Sequence, residues 1–227
     1  MVNTKIFTMK NAIHYILILD QSGSMSDLKK EVILSFNEQV DMILKLKKEE
    51  PESNIKLTLC AFNDSVDFKF IDQNVDLIKK LTDADYQPDC CTALYDAIGA
   101  SFVKITELSE PGDQVFFAIF TDGLENASKH YRAEDIKFKL NQAEKNGWDV
   151  KFFCRYEDKL IYQSRLNLSE KYLVGITLDK VGLEVMDDEI RYSLSEMVHK
   201  QKKQKQWMFT DVLIKKIWRQ LIKILIK

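Results

Sequence analysis

The sequence predicts an α/β domain: a doubly wound, mostly parallel sheet with one antiparallel edge hairpin and helices on both faces. Three observations predict it. Two short runs that are apolar throughout, Ile13–Leu19 and Val115–Phe120, read as central strands buried on both sides. Stretches with apolar residues at spacings of three and four alternate with strand-like runs, as crossover helices do. Finally, Ile55–Phe62 and Val66–Ile71 are separated only by Asn63, Asp64 and Ser65, a connection short enough for a hairpin.

Taken in order, Ile13–Leu19 is β-branched, too short for a helix, and ends at Asp20. Leu28, Val32, Phe36, Val40, Ile43 and Leu44 then mark one stripe of a helix, with Ser26 or Asp27 available to cap its start. The hairpin follows, and its second run alternates Asp and Lys with apolar residues as an edge strand does. Leu94, Ala97, Ile98, Ser101, Phe102 and Ile105 give the next helix. Pro111 and Gly112 turn the chain into Val115–Phe120, which also finishes near an aspartate, Asp122. Ala133–Asn146 is a helix with Glu134 and Asp135 in its first turn and Gly147 as its C-cap. Val150–Cys154 and Tyr172–Thr177 are the last strands, and Leu183–Val198 is the last helix of the body.

With 227 residues and 45% apolar content the chain fits one domain, residues 1–200, plus a basic amphipathic helix over 201–227. The formal charge of −2 hides an uneven distribution, because nine of the 33 basic residues but one of the 35 acids lie from Lys200 onward. An acidic body carries a basic tail. In that tail Trp207, Ile214, Ile217, Trp218, Leu221, Ile224 and Leu225 share one helical face, and Lys215, Lys216, Arg219, Lys223 and Lys227 another. Such a helix can lie on an anionic membrane as a peripheral contact, dock into a partner groove, or fold back on its own domain. The Lys200–Lys205 cluster lacks a base-reading motif, so no nucleic-acid partner is expected. No stretch of signal-peptide type precedes the first strand, no run reaches the ~20 apolar residues of a membrane span, and a cytoplasmic location is the expectation. Cys60, Cys90, Cys91 and Cys154 lack disulfide-framework or zinc spacing, as thiols of a reducing compartment do. Adjacent Cys90 and Cys91 are expected to be buried thiols, with a redox switch as the alternative.

In such sheets ligands bind beyond the carboxyl ends of the strands, where the crossover direction reverses. Two strands finish there with aspartates, and the loop after the first reads Asp20-Gln21-Ser22-Gly23-Ser24-Met25. Ser22 and Ser24, two residues apart around a Gly23 free to take an unusual backbone conformation, can turn both hydroxyls to one point beside Asp20. Hard oxygens of this kind suit Mg²⁺, with Mn²⁺ as its substitute.

Three motifs now concur: Asp20–Ser24 fits the pattern DxSxS, Thr92 stands in Cys91-Thr92-Ala93-Leu94-Tyr95-Asp96-Ala97, and Thr121-Asp122-Gly123 is a TDG segment. In these the chain resembles von Willebrand factor A-type (vWA) domains with a metal-ion-dependent adhesion site. Leu124-Glu125-Asn126 and Gly147-Trp148 make it most similar to the stand-alone intracellular bacterial and phage members. The resemblance implies a Rossmann-like vWA fold in which Ser22 and Ser24 coordinate the ion directly. It implies that Asp20 and Asp122 act mainly through bound water, and that Thr92 coordinates directly or through water according to state. A partner's Asp or Glu would supply the last ligand, which makes the chain a metal-dependent protein-binding module and not an enzyme. One departure stands out: Cys90 and Cys91 occupy positions where many relatives have two glycines, so any left-handed position there is strained or reshaped.

Two other functions use the same residues differently. A metal-dependent hydrolase would employ the ion to activate water, and an interaction protein would act through its basic amphipathic tail alone. Ser24 stands in no GxSxG elbow and has no recognisable histidine partner, and the 7 glycines supply neither a Walker A loop nor a GxGxxG fingerprint. His14, His130 and His199 are expected in structural or surface roles. Glu125 and Asn126 either line the metal rim or are solvated loop residues.

Overall fold

The computed structural model describes residues 11–225, so Met1–Lys10, Ile226 and Lys227 of the tail lie outside the described residues. Six strands form one sheet: β1 (Ala12–Asp20), β2 (Asn54–Phe62), β3 (Val66–Asn74), β4 (Gln114–Phe120), β5 (Asp149–Arg155) and β6 (Leu173–Ile176). Their spatial order is β3-β2-β1-β4-β5-β6, and every pairing is parallel except that of β2 with β3. Helices α1 (Lys29–Glu49), α2 (Leu94–Leu108), α3 (Ala133–Lys145), α4 (Lys159–Leu166) and α5 (Lys180–Leu225) cover it.

Strand β1 is apolar throughout because both faces are covered, and every one of its residues is buried. Ile13, Tyr15, Leu17 and Leu19 pack with Val32, Phe36 and Val40 of α1 and Leu183, Ile190 and Leu194 of α5. Ile16 and Ile18 point the other way, into Ile98 and Phe102 of α2, Ile136 of α3 and Tyr162 of α4. Each such side chain contributes about 1.5–3 kcal/mol through burial, which is why this central strand tolerates no polar interruption before Asp20. From β1 the chain crosses by α1 to β2 and the β3 edge; from there it returns by α2 to β4 on the other side of β1. The reversal opens a crevice beyond the carboxyl ends of β1 and β4, whose last paired residues are Leu19 and Phe120.

Four local expectations are corrected. Helix α1 has no side-chain cap: a 3-10 turn over Gly23–Leu28 leads into it, and the Ser26 hydroxyl donates to the Gly23 carbonyl (2.7 Å) instead. Gly23 is not among the residues with positive φ; its value is close approach, since an added Cβ would lie 3.4 Å from the Cys90 carbonyl oxygen. Helix α4 has no counterpart in the sequence reading, because only Tyr162 and Leu166 of its eight residues are buried and one i,i+4 pair gives no period. The expected tail helix is the continuation of α5, which runs unbroken for 46 residues. Gln201 is buried and donates to the Asn11 carbonyl (2.9 Å), while Lys202 pairs with Glu50 and Lys205 with Glu52 (3.8 Å). Beyond these contacts Trp207, Ile214 and Trp218 are 78%, 48% and 63% exposed.

Candidate metal centre

The site begins where β1 stops. Buried Asp20 turns the chain with its own carboxylate: Oδ1 accepts from the Ser22 backbone N–H (2.8 Å), an Asx turn that brings the next hydroxyls round. Ser22 Oγ and Ser24 Oγ then lie 3.2 Å apart, and Ser24 Oγ donates to Asp122 Oδ1 at 2.8 Å. Asp122 follows β4, and Thr121 before it donates from Oγ1 to Asp20 Oδ2 (2.6 Å), tying the two strand ends together. Gly123 keeps the floor open: a Cβ there would lie 3.6 Å from Thr92 Oγ1 and 3.9 Å from Ser24 Oγ.

Thr92 arrives from a different loop and is held on three sides. Its N–H donates to Asn126 Oδ1 (2.9 Å), its carbonyl accepts from the N–H groups of Asn126 and Ala127 (3.0 and 3.2 Å), and the next residue, Ala93, donates to the Asn63 carbonyl (2.6 Å). The loop is also stitched to the serine loop by Gly23 N–H to Cys90 O (3.1 Å) and Asp89 N–H to Gln21 O (3.0 Å). The five residues singled out by sequence, Asp20, Ser22, Ser24, Thr92 and Asp122, therefore meet at one place, the crevice at the sheet's switch point.

A divalent ion fits this donor set. Neighbouring ligands in an octahedron with metal–oxygen bonds of about 2.1 Å are about 3.0 Å apart, and the oxygen separations of 2.8 and 3.2 Å bracket that value. The oxygens are hard, and two carboxylates are what Mg²⁺ takes alongside water. Among the described residues no group of three or more His, Cys, Asp or Glu could hold a metal. The hydroxyls are thus indispensable to any ion bound here.

The electrostatics point the same way. Burial, only partly offset by the hydrogen bonds from Thr121 and Ser22 and reinforced by the charge of Asp122, pushes the Asp20 carboxyl up to about 6. Burial also raises Asp122, against the opposing hydrogen bond of Ser24 and the charge of Arg155. Arg155 is itself engaged by Asp158 at 2.7 Å. Two buried carboxylates short of positive charge form a site in which a cation is strongly favoured.

Several supporting residues were not legible beforehand. The Tyr86 hydroxyl donates to the Asp20 carbonyl (2.5 Å) and the Tyr162 hydroxyl to the Gly123 carbonyl, so two buried phenols fix the backbone under the site. Glu125 and Asn126 neither serve as a rim nor stand free in solvent. Asn126 clamps Thr92, while Glu125 accepts from the N–H groups of Tyr95, Ala127 and Ser128 at 2.7–2.9 Å. Asp96 accepts from Lys129, His130 and Tyr131 N–H (2.8–2.9 Å) and anchors the same segment. Cys90 and Cys91 are exposed, contrary to the expected burial, and Cys90 adopts φ +62°. The left-handed position suited to glycine is kept here by a cysteine, under strain.

No protein-family model matches the chain, and no curated protein matches it. Solved structures do. The vWF domain of the type V pili tip protein Mfa5 from Porphyromonas gingivalis superposes with a TM-score of 0.64 at 10% identity, over 83% of this chain and 96% of that one. The PilB minor pilin from Streptococcus sanguinis gives 0.55 at 12%, over 81% of this chain and 61% of that one. Proximal thread matrix protein 1 (PTMP1) from the mussel byssus, solved with a zinc-occupied MIDAS motif, gives 0.51 at 14%, over 81% and 46%. The chain thus spans well under two thirds of the length of PilB and PTMP1. At these identities the likeness is one of fold: the chain has a vWA-like, Rossmann-type α/β fold, with its oxygen-rich cluster at the sheet's switch point.

Proposed function

We propose that this chain is a metal-dependent protein-binding module that holds one divalent cation and takes an Asp or Glu carboxylate from a partner protein. The observation that carries the reading is the convergence of Ser22 Oγ, Ser24 Oγ and Asp122 Oδ1 within 3.2 Å of one another in sequence, at the carboxyl ends of β1 and β4. Ser22 and Ser24 would ligate directly, Asp20 and Asp122 mainly through water, and Thr92 either way. When bound, the ion supplies Lewis acidity towards the partner's carboxylate oxygen. The donor set favours Mg²⁺ with Mn²⁺ as substitute; the zinc in PTMP1 supports only the wider class of divalent cation.

The vWA-like neighbours include pilus proteins, which supports binding of protein partners as the general role. We favour binding over hydrolysis because the polar groups around the site are committed to structure. Both Asp20 oxygens are engaged, by Ser22 N–H and Thr121 Oγ1, and Tyr86 and Tyr162 point their hydroxyls at backbone carbonyls. His14, the buried histidine, pairs with Asp72 and Asp113 near the opposite ends of the strands. The proposal includes a cytoplasmic setting. Its test is capture of acidic peptides on immobilised protein: retention that needs Mg²⁺ and the peptide carboxylate is the expected result. Equal retention in EDTA, or after the carboxylate is amidated, would overturn it, and steady phosphate-ester turnover that follows metal occupancy would favour a hydrolase.

A further inference from the structure

A second interaction surface lies on α5, far from the crevice. The last contact between this helix and the body is Lys205 with Glu52, and α5 then continues to Leu225. Twenty residues at 1.5 Å each carry it about 30 Å further, several times the ~8 Å Debye length at physiological salt. On this projecting segment Trp207, Ile214 and Trp218 are 78%, 48% and 63% exposed. Their spacings of seven and four place them within about 40° of one another around the helix axis. Solvent is a costly environment for two tryptophans and an isoleucine on one stripe. The same segment carries Lys215, Lys216, Arg219 and Lys223, and Asp211 is the one acid of the chain after Lys200.

We propose that the distal half of α5 is a peripheral membrane anchor that lies along an anionic lipid surface, with Trp207, Ile214 and Trp218 immersed at the headgroup boundary. Three features select lipid over other occupants. Tryptophan, with an apolar body and one N–H donor, is suited to the boundary between headgroup and acyl chain. The charge is complementary to anionic lipid, whereas two such basic segments packed side by side would repel each other. The body is acidic and would be repelled by that surface, and the length of helix beyond Lys205 holds it outside the range of the repulsion. Because α5 is continuous with the folded body, its distal half does not have to nucleate on arrival, which lowers the ordering cost of binding. No helix among the described residues is long and apolar enough to cross a membrane, and α5 is assigned to lie on it.

The test uses the full chain in EDTA with two kinds of vesicle: phosphatidylcholine alone, and phosphatidylcholine with about one third phosphatidylglycerol. Phosphatidylglycerol carries no carboxylate and EDTA removes divalent metal, so success or failure here is independent of the crevice. Expected are co-sedimentation with the anionic vesicles only, a blue shift of tryptophan emission, and release by added salt. The double variant Trp207→Ala/Trp218→Ala should bind about tenfold more weakly or less, with an unchanged melting temperature because both side chains are exposed. Absence of binding, equal binding to both vesicle types, or a double variant that binds like the parent would each overturn the assignment. So would a doubled molar mass in solution that the variant abolishes, which would identify a second copy of the chain as the occupant.

Discussion

Near the amino ends of the strands two carboxylates, Asp72 and Asp113, flank the buried ring of His14; at the carboxyl ends two others, Asp20 and Asp122, face hydroxyls. The first pair is complete. His14 Nδ1 meets Asp72 Oδ1 at 2.7 Å, Nε2 meets Asp113 Oδ2 at 3.0 Å, and Lys56 adds 2.6 Å to Asp72. Burial would raise Asp113, but hydrogen bonds from Glu110 N–H, His14 and Ala12 N–H outweigh it and hold the carboxyl below its usual value. Asp20 and Asp122, buried without a cation of their own, are both raised. One sheet with similar burial at both ends thus yields opposite electrostatics, and the deficit of positive charge at the carboxyl ends is what an external cation would fill.

The largest way to break this comparison is to remove the resident partner. His14→Ala leaves two mostly buried carboxylates facing each other across a cavity, with Lys56 still serving Asp72. The expected cost is about 3 kcal/mol, the lower end of what unpairing a buried charge incurs. Urea unfolding would measure it, and Mg²⁺ affinity of the folded variant should be unchanged. A His14→Ala protein as stable as the parent would show that the pair is not structural.

The complementary change is Asp20→Ala with Ser22→Ala. Loss of residues that merely orient metal ligands costs about 10–100-fold in affinity, so loss of a ligand and its neighbour should cost about 100-fold or more. Calorimetric titration with Mg²⁺ and Mn²⁺ reads it directly. Unchanged affinity would remove the site from this crevice.

A pH profile sharpens the contrast further. The Asp20 carboxyl is raised from 3.8 to about 6, and Asp187, where burial outweighs hydrogen bonds from Ser35 and Gln39, also to about 6. Their neutral forms are favoured by folding, so the stability they contribute is fully present below pH 3.8 and is lost as pH rises through about 6. Thermal melting of metal-free Asp187→Asn should keep a falling limb over that window, because Asp20 remains, and Mg²⁺ should cancel it by favouring ionised Asp20. Asp113 behaves in reverse: its lowered carboxyl stabilises at higher pH and loses that contribution on acidification. A metal-free melting temperature that is flat across the window would contradict the assignment for Asp20.

Much of this was legible in the sequence because its causes are local. The central strands are buried on both faces and read as unbroken apolar runs, and the serine loop places three oxygen-bearing residues within five positions. The bracing of the site was not legible because it is long-range. Tyr86 reaches Asp20 across 66 residues and Thr121 reaches Asp20 across 101, and nothing periodic in either segment announces the contact. Asn126 was noticed, but its clamp on Thr92 spans 34 residues and depends on where the β4–α3 loop falls. The continuity of α5 had a local sign, since Leu183–Leu225 contains neither Gly nor Pro. The break in charge at Lys200 marked a change of surface and not an end of the helix.

The smallest expected effect separates the two ends by backbone strain. Each end holds a non-glycine residue in the left-handed region: Asp72 at φ +49° and Cys90 at φ +62°. Asp72 is compensated, since its N–H donates to Thr58 Oγ1 (2.9 Å) and its carboxylate serves His14 and Lys56. Cys90 is exposed, and only its backbone is engaged, N–H with Asp89 Oδ1 and carbonyl with Gly23 N–H. Left-handed backbone costs an L-residue about 1–2 kcal/mol, and glycine returns about 0.5–1 kcal/mol of that as unfolded-state entropy. Cys90→Gly should therefore stabilise by about 0.5–1 kcal/mol in urea unfolding, with metal affinity retained. Cys91→Gly, with no positive φ to relieve, should destabilise by about the same amount. Asp72→Gly should destabilise strongly for the reason His14→Ala does. If Cys90→Gly also destabilises, the thiol has a packing role that offsets its strain, and the two sheet ends are alike in this respect.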